Sequence, residues 1–135
     1  MAVASADPSR LESLARKHGI RLLLQFGSTV TGSTHPRSDL DLAVLLDAYP
    51  ESLHAYGELA ADLQQAFPGR EIDLAIVNRA DPLFLKQIAG GARLLYGSTS
   101  AFAELKIYAF KRYQDHQRFL AMEREYVRRM TAGAR

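Results

Sequence analysis

Five residues carry the chemistry in this sequence: Gly27, Ser28, Asp39, Asp41 and Asp73. Gly27-Ser28 closes an apolar run. Ten residues later Asp39-Leu40-Asp41 opens a second one, and Asp73 lies in a third. Carboxylates gathered on one side of a sheet repel each other unless a cation sits between them. Oxygen-only ligands suit Mg²⁺, with Mn²⁺ as an alternative, and Mg²⁺ characteristically combines one or two carboxylates with phosphate and water. A glycine after a strand lets the backbone approach a ligand closely. The N–H groups opening the following turn carry partial positive charge and suit phosphate oxygens, and Ser28 adds a hydroxyl donor. Triphosphate at the turn and metal at the carboxylates make one Mg–nucleotide site. Two such ions about 3.5–4 Å apart stabilise the attacking and leaving oxygens of a phosphoryl displacement.

Each piece alone is ordinary. Gly-Ser is a common turn, and Asp-x-Asp is commonly a solvated edge. The specificity lies in the order: strand, Gly-Ser, ten residues, Asp-x-Asp in a strand, then a further strand with its own Asp.

The elements that must position these residues follow from the pattern. Asp7-Pro8 caps and starts a helix that Gly19 ends. Residues 20–26 are of strand length, interrupted by Arg21 and Gln25. Residues 29–32 suit one helical turn, and 33–38, with Pro36, a loop. Residues 39–46 read as the second strand. Its alternation puts Asp39, Asp41 and Ala43 on one face and Leu40, Leu42 and Val44 on the other, the expected core face. Residues 51–67 read as a helix with Leu53, Leu59, Leu63 and Phe67 as buried candidates, stopped by Pro68-Gly69. Residues 71–77 form a third strand, with Asp73 on the side away from Ile72, Leu74 and Ile76. Asp81-Pro82 starts a helix to residue 89, Gly90-Gly91 ends it, and 92–96 suits a short edge strand. Nothing breaks a helix over 101–130, about 45 Å at 1.5 Å per residue. A domain of this size has a radius of gyration near 14 Å, so that helix is expected to overhang or bend. The expected fold is α/β (α+β): a small mixed sheet flanked by helices, with a long C-terminal helix.

With 135 residues there is room for one domain, expected over 1–135, with its core at about 8–97 and the C-terminal helix at about 101–130. There is no cysteine, which removes disulfides and thiolate metal sites. No apolar run approaches a membrane span and no secretory signal opens the chain, so the expected location is the cytoplasm. Residues 101–135 hold eight Lys/Arg against four Asp/Glu, whereas 1–100 hold nine against eleven. The interleaved acids favour a solvated helix face over a nucleic-acid surface.

Gly27-Ser28, ten residues, then Asp39-Leu40-Asp41 resembles the signature of the DNA polymerase β-like nucleotidyltransferase superfamily, over roughly residues 8–96. Asp73 falls where that family carries its third carboxylate. The short length and the segment Ala-Arg-Leu-Leu-Tyr-Gly at 92–97 are similar to the minimal nucleotidyltransferase (MNT) branch. Members of that branch are often antitoxins paired with a HEPN-domain ribonuclease toxin. The resemblance implies transfer of AMP from ATP to a tyrosine of such a toxin, within a hetero-oligomer. It implies that Gly27 and Ser28 bind the triphosphate and that Asp39 and Asp41 hold two Mg²⁺ ions. Asp73 would complete the second metal site and take the acceptor proton. Arg37, just before the Asp pair, suits a phosphate contact or a solvated loop.

Other candidates read more plainly. Arg79 suits a surface role. His35 lacks a second ligand. The Arg112/His116 pair on one helix suits packing better than ribonuclease chemistry. Phe102, Tyr108, Phe110, Tyr113 and Phe119 cover more than one helix face, so they serve either a protein interface or a helix folded back on the sheet. Two further functions compete: nucleotide transfer to a small hydroxylated molecule, and a module that covers a toxin with catalysis dispensable. Nothing in the chain suits holding a duplex.

Overall fold

The computed structural model describes residues 6–27 and 39–133. Ser28, Arg37, His35, the expected turn at 29–32 and the loop at 33–38 lie outside the described residues.

Helix α1 (Pro8–His18) starts where the Asp7 side chain accepts a hydrogen bond from Ser9 N–H at 3.1 Å, with Pro8 in the first turn. It ends at Gly19, whose φ of 67° is the left-handed stop. Strand β1 (Ile20–Phe26) follows, then β2 (Leu40–Leu46), helix α2 (Leu53–Ala66) and strand β3 (Ile72–Ile76). A 3₁₀ turn at Val77–Arg79 leads to helix α3 (Pro82–Gly91), edge strand β4 (Arg93–Tyr96) and helix α4 (Thr99–Gly133). The sheet order is β3-β2-β1-β4, with β2 and β3 parallel and the other pairs antiparallel. This is the mixed sheet flanked by helices expected from the pattern.

Both sheet faces are covered. Leu23, Leu40, Leu42 and Val44 pack with Leu11 and Leu14 of α1 and Leu59 and Leu63 of α2. Leu22, Leu24 and Ala43 pack with Leu85 and Ile88 of α3 and Leu105 and Ala109 of α4. One expectation is therefore corrected: the face carrying Asp41 is not the polar side of the sheet. β1 supplies leucines to both faces, as a strand buried on both sides does. The carboxylates occupy only the end of that face. Leu53 is a second correction, being 86% exposed. It is the first residue of α2, and at 100° per residue it points well away from the side carrying Leu59, Leu63 and Ala66.

Two side chains fix the strand ends. At the carboxylate end, Gln64 Nε2 donates to Arg70 O at 2.6 Å and its Oε1 accepts from Ile72 N–H at 3.0 Å. At the other end, Asn78 accepts from Leu46 N–H at 2.9 Å and donates to Leu46 O at 2.8 Å.

Helix α4 is one uninterrupted helix of 35 residues, about 52 Å long. Its first part covers the sheet, where Leu105 and Ala109 are buried. Beyond Leu120 it overhangs, and Met122, Tyr126, Val127 and Met130 are exposed. Of its aromatic residues Phe102 packs against the core, whereas Tyr108, Phe110 and Phe119 are exposed. Among the described residues no helix is long and apolar enough to cross a membrane.

Candidate active site

β1 ends at Phe26, and β2 carries Asp41 directly opposite it. On its other side Asp41 is paired with Asp73 of β3. Phe26, Asp41 and Asp73 thus form a row across three neighbouring strands, and residues paired in this way share a face. Asp39 stands one residue before β2. Its position is held by the next residue, whose N–H (Leu40) donates to Glu71 O at 2.9 Å. Asp39 and Asp73 are exposed, and Asp41 is half-buried. Three carboxylates placed by sequence pattern therefore meet at one end of the sheet, although Asp39 precedes the strand rather than belonging to it.

Their proximity has an electrostatic signature. The Asp41 carboxyl is held above the ordinary carboxylate range, first by partial burial, then by the charges of Asp73 and Asp39. The protein maintains an anionic group where it is costly, a common property of functional sites.

Gly27 meets the same group. Its φ is 82°, a left-handed conformation that side chains rarely adopt. A Cβ added there would collide with Asp41 Oδ2 and lie 3.1 Å from Cγ. The Asp41 carboxylate would have to swing aside to admit a side chain, so the backbone leaving β1 lies directly against it.

Among the described residues no three His, Cys, Asp or Glu side chains close into a metal cage. The donor chemistry nevertheless fits a hard divalent cation. Asp39, Asp41 and Asp73 offer only carboxylate oxygens, and their repulsion at Asp41 is what a cation would relieve. Mg²⁺ keeps several waters and needs few protein ligands, so an open cluster suits it.

Sequence pattern gave no reason to include Phe84. Its ring packs edge-on to Phe26, centroids 5.9 Å apart at 77°, making an aromatic wall beside Asp41. Only the position of Phe26, just before Gly27, carried a hint. Arg79 instead stacks its guanidinium 3.8 Å from the centre of the Tyr49 ring, past the end of β3 remote from Asp73. Arg112 donates to the exposed Tyr108 hydroxyl at 3.2 Å. A groove of about 440 Å³ lined by Leu11, Glu12, Phe67, Leu95 and Tyr96 lies on the other face of the sheet. It holds none of the three carboxylates.

Residues 10–101 match the family described as Polymerase beta, Nucleotidyltransferase. The chain belongs to that family, and its fold is that of a nucleotidyltransferase. Comparison with curated proteins finds no match. Among solved structures, a toxin–antitoxin complex with AMP-PNP is similar at 26% identity and TM-score 0.70, covering 88% of this chain and 96% of that one. The complex of the tri-AMPylated HEPN toxin of Shewanella oneidensis with its MNT antitoxin is similar at 23% identity and TM-score 0.64. That match covers 88% of this chain and 93% of the other. The spectinomycin adenyltransferase of Enterococcus faecialis, with ATP and spectinomycin, gives 18% identity and TM-score 0.51. It covers 72% of this chain and 57% of that one. The last two likenesses are of fold.

Proposed function

We propose that this protein is an antitoxin that transfers AMP from ATP to a tyrosine hydroxyl of a partner HEPN-domain ribonuclease toxin and so neutralises it. The observation that carries the reading is the register of Asp41 with Asp73 beneath the bare backbone of Gly27, in a chain of the nucleotidyltransferase family. The likeness to a toxin–antitoxin complex with AMP-PNP supports the choice of partner and nucleotide. The pair would act in the cytoplasm.

In this reading Gly27 and Ser28 bind the triphosphate through backbone N–H and hydroxyl donors, and Arg37 reaches a phosphate. Asp39, Asp41 and Asp73 hold two Mg²⁺ ions, for which Mn²⁺ can substitute. Those ions would supply charge stabilisation at the reacting phosphate. The tyrosine oxygen forms a bond to the α-phosphorus, and the bond from that phosphorus to the bridging oxygen breaks, releasing pyrophosphate. The Asp73 carboxylate takes the tyrosine proton. Gly27 keeps the phosphate turn close to Asp41, and the Phe26–Phe84 wall narrows access of water on that side.

The test incubates the protein with ATP, Mg²⁺ and the protein encoded by the adjacent reading frame, and measures the partner's intact mass. The expected result is a gain of one or more AMP units. A partner that binds but gains none would overturn the reading. Exposure of the outer half of α4 favours a second reading, a module that neutralises by covering. If an Asp39→Ala/Asp41→Ala variant still neutralises fully, that second reading holds. A small hydroxylated acceptor is tested by an adenylylation screen.

A further inference from the structure

We infer that the overhanging half of α4 is the docking surface for the protein acceptor, and that it takes an apolar groove with an acidic rim. The inference rests on the reading that the acceptor is a protein.

Phe119, Met122, Tyr126 and Met130 recur at intervals of three, four and four residues, which puts them in one stripe. All four are 59–67% exposed. Isolated apolar residues on a surface need no explanation, but a contiguous aromatic and methionine stripe marks an interaction site. Anchors at such spacing are how an amphipathic helix fills a partner's groove. The stripe extends past the part of α4 that the domain's own core occupies, which ends near Ala109.

The charge around the stripe selects the occupant. Residues 118–130, which carry the stripe, hold four Lys/Arg against two Asp/Glu, a net of +2. Glu125 is shared between Arg128 at 2.6 Å and Arg129 at 3.2 Å, so one acid faces two bases there. A second copy would bring two positive rims together, whereas an acidic rim is attracted and steered.

The direction of α4 gives the surface its purpose. Near its start, Ala101, Glu104 and Leu105 lie against Arg21, Leu45 and Asn78, at the rim remote from the carboxylates. Ala109 and Phe110 then lie against Lys86, Ala89 and Gly90 of α3. Tyr113 sits under the Lys86 ammonium at 4.3 Å. α3 in turn places Phe84 against Phe26, beside Asp41. The helix thus runs from the remote rim toward the element flanking the carboxylates, and the overhang continues beyond it. A protein held there is tethered near the site, and tethering raises the effective concentration of its acceptor hydroxyl.

The test uses the full chain and the protein encoded by the adjacent reading frame. Affinity is measured without ATP, and Mg·ATP binding to the chain is measured separately. Met122→Glu/Tyr126→Glu is expected to weaken partner binding by roughly 100-fold, the scale of central interface anchors, with Mg·ATP binding unchanged. Arg124→Glu/Arg128→Glu, which leaves the stripe intact, is expected to weaken it less and to reduce its dependence on salt. Full partner affinity in both variants would overturn the surface. So would a wild-type dimer of this chain that Met122→Glu/Tyr126→Glu turns into a monomer while partner affinity holds. A partner that binds through the stripe but gains no AMP leaves the surface standing and removes the adenylyl-transfer reading alone.

Discussion

Asp41 of β2 and Asp73 of β3 face each other as register partners on parallel strands, so the two carboxylates share one face of the sheet. Asp41 is raised above the ordinary carboxylate range by its burial and by this neighbour. Asp41→Asn should therefore end nucleotidyl transfer and stabilise the metal-free fold, by about 1 kcal/mol, as relief of functional strain commonly does. The sign follows from linkage. A folded carboxyl with a raised pKa binds its proton more readily than the unfolded chain does. The wild-type deficit is absent in acid, grows as pH rises through the ordinary carboxylate value, and is complete above the raised one. Melting curves of both proteins across that range check this. Adding Mg²⁺ should raise the wild-type Tm more than that of the variant.

Gly27→Ala tests the bare backbone over Asp41. The substitution forces a left-handed alanine and a collision with the carboxylate. The expected cost is roughly 1–3 kcal/mol of stability, together with loss of Mg·ATP binding. Calorimetric titration with Mg·ATP and thermal melting read the two effects separately. Unchanged nucleotide binding would detach Gly27 from the site.

Gln64 and Asn78 form a contrasting pair. Each side chain ties backbone groups at one end of the sheet, and loss of either should cost about 1–2 kcal/mol. Gln64 holds the segment entering β3 just before Asp73, whereas Asn78 works at the remote end. Gln64→Ala should lower both Tm and the rate of AMP transfer. Asn78→Ala should lower Tm alone.

Asp62 joins α2 to α1 by accepting from Lys17 Nζ at 2.9 Å and contacting His18 Nε2 at 2.7 Å. Its carboxyl is held below the ordinary range, first by the Lys17 hydrogen bond and then by His18. Its stabilising effect is thus complete above the ordinary carboxylate value and is lost as pH falls through the lowered one. Lys17 is raised by the same bond, so its share is present below the ordinary lysine value and lost as pH rises through the raised one. Asp62→Asn should melt earlier than wild type near neutral pH and converge with it in acid. Added salt should shrink the gap, because the Lys17 end of the pair is solvent-exposed.

Much of this was legible in the residues. Caps such as Asp7 and Asp81 fixed where helices begin, because their side chains satisfy N–H groups that the helix leaves open. Alternation along β2 and β3 alone places Asp41 and Asp73 on a common side. What alternation could not convey was that this side also carries a core. Leu22 and Leu24 reach it from β1, and a leucine-rich strand reads the same whichever helices cover it. Leu53 misled for a related reason: an apolar residue in a helix is no guide to burial unless its angle is known. Phe84 had no local signal, since its place beside Phe26 is a tertiary contact across 58 residues.

The uneven support along α4 also sets a gradient of opening. A helical segment that buries little holds its amide protons only by its own hydrogen bonds, and short isolated helices are marginal in water. Deuterium uptake should therefore be slow around Leu105 and Ala109 and climb steeply past Leu120. Within α4, proteases should nick between Arg124 and Arg129 before they cut the inner turns. A bound protein that seats on the outer turns would slow both processes there, leaving exchange in the sheet unchanged.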